Sequence, residues 1–138
     1  MKFETVIKTG VALFGTVTSY LYGGWSQVLG ILLFLVIADY LSGFVAAAKE
    51  GKLKSTVGLI GIAKKVFIFV IVAVAHQVDL LLGQSHVFRD ATIFFYAANE
   101  ALSILENAGR AGLDLPPKLK DAIEVLRGKG DGKDVGRS

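Results

Sequence analysis

The chain reads as an all-α protein, a small polytopic membrane protein with three to four transmembrane helices and a short amphipathic cytoplasmic helix. Three observations predict this. Its 138 residues have a mean hydropathy of +0.57 and are 53% hydrophobic, too apolar for an ordinary soluble domain of that length. The apolar residues fall in long blocks, several of about twenty residues, the length a helix needs to cross roughly 30 Å of hydrocarbon. Lys and Arg cluster in some connections and are missing from others, which is the pattern of a topology set by charge.

The segment 25–48 anchors the reading. It suits hydrocarbon throughout except for one carboxylate, Asp39. A carboxylate there costs roughly 2.5–3.5 kcal/mol on insertion scales, so it calls for a buried partner or a water-filled path. Trp25 at one end fits the headgroup level as an interface anchor, and Lys49, Lys52 and Lys54 beyond the other end read as a cytoplasmic anchor.

The first candidate span, 3–22, is the ambiguous one. Glu4 and Lys8 shorten its apolar part to Thr9–Tyr22, a length shared by short spans and by helices lying on the surface. Gly23-Gly24 breaks the chain before Trp25. The third span, 59–82, carries Lys64 and Lys65 near its cytoplasmic end, from which their stems can snorkel. The fourth, 88–108, carries Asn99 and Glu100 in its interior and reads as a span facing its neighbours with a polar stripe. These four form one transmembrane bundle, 1–108. Residues 109–127 are a linker and an amphipathic helix, with Leu119, Ala122, Ile123 and Leu126 recurring at i, i+3, i+4 and i+7. Residues 128–138, Gly-rich and charged, are expected to be a disordered basic tail.

With four spans, Lys2, Lys8, the Lys49–Lys54 loop and the basic tail share one side, whereas Gly23-Gly24 and 83–87 lack Lys and Arg. Both termini are then cytoplasmic. With three spans only the C-terminus keeps that place. Counting ~1.5 Å per residue puts Asp39 about 13 Å from Ala48 and Glu100 about 18 Å from Phe88, at similar depth on antiparallel helices. Asp39, Lys65, Asn99 and Glu100 are therefore the candidate intramembrane polar cluster. Lys64 belongs to the same set or serves only as an anchor. The small pairs Gly43/Ala47 and Ala97/Ala101 are candidate helix-packing faces.

Several classes are excluded. Without Cys there are no disulfides or thiolate metal sites. His76 and His86 are isolated, so neither a metal cluster nor a triad is readable, and no glycine run matches a phosphate-cradling motif. No enzyme and no cofactor is expected. The net charge of +3 is best spent on orientation and on anionic lipid, not on nucleic acid. Met1–Tyr22 lacks the layout of a cleaved signal, so insertion through an uncleaved first span is expected.

The stretches Gly23–Trp25, Asp39–Gly43, Gly58–Lys65 and Phe95–Leu119, in that order and spacing, resemble the phage lysis and clostridial toxin-secretion holin family. The likeness covers roughly Gly23 to Arg127. It implies a non-enzymatic protein that oligomerises in the bacterial cytoplasmic membrane. Such a protein opens lesions at a set time, releasing a cell-wall hydrolase it need not bind, or in some hosts exporting a large toxin. The family has no catalytic residue to carry over. Two other readings fit the same residues: a small proton-coupled four-helix exporter, and a membrane scaffold docking a soluble partner through Pro116–Arg127.

Overall fold

The structure is a computed structural model describing residues 1–131, with the backbone alone described at 123 and 126–131. It is all-helical: α1 (Lys2–Tyr22), α2 (Gln27–Lys49), α3 (Ser55–Leu81), α4 (Val87–Arg110) and α5 (Pro117–Asp131). Local chemistry fixes the boundaries. The hydroxyl of Ser26 accepts a hydrogen bond from the Leu29 amide at 3.2 Å, so α2 starts two residues after Trp25. Pro117 opens α5, where its missing N–H costs nothing. α3 begins at Ser55, earlier than hydropathy places it, because the polar Ser55-Thr56 turn joins the apolar run.

Two helices, α2 and α3, are long and apolar enough to cross a membrane on their own. α1 and α4 have comparable lengths, 21 and 24 residues, but are less apolar. α5 runs to Asp131, so 128–131 continue the helix, and the rest of the expected tail, 132–138, lies outside the described residues. In α5, Leu119 and Ala122 are exposed; the side chains of Ile123 and Leu126 lie outside the description.

The packing is inside-out. α4, the helix with the most charge among these four, sits between α2 and α3; α1 leans on α3, and α2 and α3 touch only sparsely. The apolar core fills the half of the bundle near the Gly23-Gly24 turn, where Leu29, Leu32, Val36, Ile68, Val72 and Ile93 interlock. Outward faces of α2 and α3 are apolar: Phe34, Ile37, Phe44, Phe67 and Val74 are all exposed, as lipid-facing residues are.

That half is closed by charge meeting helix ends. Asp79, 1% exposed, accepts the Phe88 and Arg89 amides on its two oxygens, both at 2.8 Å, and so caps α4 from α3. Arg89, itself buried, sends Nη1 to the carbonyl of Tyr22 at 2.6 Å, placing a cation at the C-terminal end of α1. Gly23 ends α1 at φ +74°, and a Cβ there would lie 2.7 Å from His76 Cε1 and 2.9 Å from His86 Cε1. Gly23→Ala is therefore expected to destabilise the bundle by more than the ~1–2 kcal/mol of a left-handed non-glycine residue alone. Gly24→Ala, also at positive φ but with open space around it, should cost less. Unfolding midpoints of the two variants in mixed micelles check the order.

Candidate functional site: a polar chain through the bundle

The other half of the bundle is polar. Its centre is Lys65, whose Nζ donates to Asp39 Oδ2 at 2.6 Å and to Glu100 Oε2 at 2.7 Å. The three side chains are only 18%, 10% and 10% exposed, so this is a buried ion triad joining α3, α2 and α4. Asn107, one turn short of the end of α4, donates through Nδ2 to Asp39 Oδ1 at 2.9 Å, to the Asp39 carbonyl at 3.2 Å and to Ser42 Oγ at 3.0 Å. Its own Oδ1 accepts from Arg110 Nη1 at 3.2 Å. Arg110 Nε then donates to Glu50 Oε1 at 2.7 Å, and Glu50 Oε2 lies 3.3 Å from Lys52 Nζ.

The result is one unbroken chain: Glu100, Lys65, Asp39, Asn107, Arg110, Glu50, Lys52. Acid and base alternate along it, with Asn107 bridging Asp39 and Arg110. It leads from mid-helix to the exposed loop between α2 and α3. A buried charge without a partner is costly by several kcal/mol, and here each ion has its opposite beside it. At the exposed end, the hydrogen bond from Arg110, then that from Lys52, hold the Glu50 carboxyl below its ordinary value of 4.5. Such a contact is fully present above 4.5 and is lost only as pH falls through the lowered value, so the outer link stands at neutral pH.

Asp39 and Glu100 thus meet at the depth they share, with Lys65 between them. Asn99 does not join them; it is half-buried without a side-chain hydrogen bond among the described residues, because it is turned about 100° from Glu100 on the helix. Asn107 stands in the place expected for it. Lys64 is exposed, beside a shallow groove with Tyr96 and Phe67, away from the triad. Among the small residues, Gly43 lies against Asn107, where a Cβ would come within 3.4 Å of Nδ2. Ala47, Ala97 and Ala101 are half-buried, and the fully covered positions are their neighbours Ala46 and Ala98. Trp25 is 45% exposed, its ring 5.9 Å from that of Phe14.

The residues missed, Asn107 and Arg110, had a signal. Glu100, Ser103, Asn107 and Arg110 recur at i, i+3, i+7 and i+10, a polar stripe with helical period. His76 and His86, isolated in the sequence, meet in the fold: their rings stack with centroids 5.8 Å apart, beside an Asp79 engaged by the α4 amides. Among the described residues no group of three or more His, Cys, Asp or Glu could hold a metal ion.

The family model described as the bacteriophage holin family matches residues 16–128. An uncharacterised protein of Halalkalibacterium halodurans is 48% identical over 130 residues, covering 91% of this chain and 96% of its own length. An uncharacterised protein of Listeria innocua is 45% identical over 126 residues, covering 91% and 90%. A probable holin of Bacillus phage phi105 is 32% identical over 133 residues, covering 96% and 92%. No solved structure matches.

Proposed function

The chain belongs to the bacteriophage holin family, and from that premise we propose that it oligomerises in the bacterial cytoplasmic membrane and opens lesions at a set time. The observation that carries this reading is the alternating polar chain. In a single bundle every ion on it is matched inside the protein, so a dilute chain crosses the bilayer without conducting. α4 supplies Glu100, Asn107 and Arg110 to that chain, which ties it to α2 and α3 beside the apolar packing of Ile93. When copies accumulate, α4 can exchange these partners for water, and its polar stripe becomes the wall of an aqueous lesion. Small residues on α2 and α4 permit the close approach that assembly needs.

Four spans with both termini cytoplasmic fit best. α4 hides its charges against its neighbours, and α1 is long enough at ~1.5 Å per residue to traverse the core with its apolar face outward. Partners are further copies of the chain, anionic lipid at the basic C-terminal segment, and a cell-wall hydrolase released without direct binding. Expression in bacteria with and without a cytosolic hydrolase tests this. Membrane potential should collapse abruptly after a delay, and the culture should clear only when the hydrolase is present. Steady potential and normal growth at verified membrane levels would overturn it and bring the exporter and scaffold forward.

A further inference from the structure

A cavity of about 740 Å³ opens beside the polar chain, between the second half of α2 and the first half of α3, with α4 behind it. The size lies in the range of ligand sites, ~300–1,000 Å³. Its two ends differ in chemistry. Towards the α2–α3 loop the lining is cationic, with Lys52, Lys54 and Arg110. Glu50 engages both Lys52 and Arg110, whereas Lys54 has no ion-pair partner among the described residues. The first turn of α3 borders the same mouth, and α3 starts without a side-chain cap, so its amide donors add to the positive character there.

Sideways, the lining is apolar. Phe44 of α2 and Val57 and Ile62 of α3 form walls that are themselves 55%, 62% and 46% exposed, so the cleft runs out onto the surface that faces hydrocarbon. The sparse contact between α2 and α3 leaves this gap open. A cationic mouth at the membrane surface joined to an apolar slot in the hydrocarbon is the shape of an amphiphile with an anionic head. A soluble anion would use the mouth and leave the slot empty; a neutral lipid would use the slot and leave Lys54 unanswered.

We propose that this cleft is a binding site for one anionic phospholipid, its phosphate held by Lys52 and Lys54 and an acyl chain lying between α2 and α3. The site is separate from the basic C-terminal segment and does not depend on lesion formation. Its head lies where the polar chain reaches the surface, so a bound lipid shares Lys52 and Arg110 with Glu50.

The test uses the full chain, reconstituted with phosphatidylglycerol and phosphatidylcholine in equal amounts, then stripped with detergent and weighed by native mass spectrometry. One phosphatidylglycerol per chain should remain, with phosphatidylcholine removed. The pair Lys52→Gln and Lys54→Gln should lower that retention at least tenfold, and Lys118→Gln with Lys120→Gln should leave it unchanged. Ile62→Trp, which fills the slot and keeps every charge, should also lower it; circular dichroism verifies the helices of each variant. Equal retention of both lipids, equal loss in the α5 variant, or full retention in Ile62→Trp would overturn the proposal. So would displacement by inorganic phosphate as effective as by phosphatidylglycerol, which would mark a simple anion site, or retention confined to dimers, which would give the cleft to a second copy.

Discussion

Lys65→Ala is expected to be the most damaging single substitution in the polar half of the bundle, costing about 3–5 kcal/mol of stability. It removes the only cation among the described residues within hydrogen-bond reach of both Asp39 and Glu100 and leaves two carboxylates facing one another with 10% of their side chains exposed. Asp39→Asn should cost less, because the remaining Lys65–Glu100 pair is balanced, although the amide keeps an acceptor oxygen for only one of the two positions that Lys65 and Asn107 address. In a double variant the two losses should fall short of their sum, with a coupling of ~0.5–3 kcal/mol, because both act on one contact. Denaturant unfolding in bicelles measures the cycle. Timing of potential collapse in cells gives the second readout: Lys65→Ala should act early or not at all, and Asp39→Asn should shift the onset. Stability within about 0.5 kcal/mol of the parent, with unchanged timing, would show that the triad neither holds the bundle nor takes part in its opening.

Asp79→Ala is expected to be comparably severe at the opposite end. A single carboxylate there accepts two amides at the start of α4, and charge-assisted hydrogen bonds of this kind are worth roughly 1.5–3 kcal/mol each, though not additively. Without it the first turn of α4 loses its cap at the very residue that carries the buried Arg89 side chain. Because Arg89 also holds the C-terminal end of α1, the damage should spread: amide exchange should accelerate at residues 19–24 as well as at 87–91. Acceleration confined to α4 would show that α1 is held by its packing on α3 alone.

Much of this was readable from residues and spacing. The helices, the break at Gly23-Gly24 and the shared depth of Asp39 and Glu100 follow from hydropathy and a rise of ~1.5 Å per residue. Depth, however, says nothing about azimuth. Asn99 and Asn107 are both polar, and only the angle from Glu100 separates them; the i, i+7 spacing picks Asn107. The small pairs were offset by one position for the same reason: Gly43 faces α4, but the best-covered alanines are Ala46 and Ala98. The capping role of Asp79 was out of reach of pattern alone, because its partners are main-chain amides that carry no signature. The continuity of the polar chain into the loop depends on Arg110, which by sequence reads as an ordinary cytoplasmic charge.

The central place of α4 bears on biosynthesis. α2 and α3 leave the ribosome before α4, and between them they hold the acid and the base of the triad's first link, Asp39 and Lys65, paired at 2.6 Å. A hairpin of these two is apolar outside and has Asp39 answered by Lys65 within, while Asp79 waits for the first turn of α4. Glu100 follows on α4, a less apolar helix, and finds a ready cation waiting for it. The earlier pair is thus a template for the later helix, and translation order does the work that intrinsic solubility in lipid cannot.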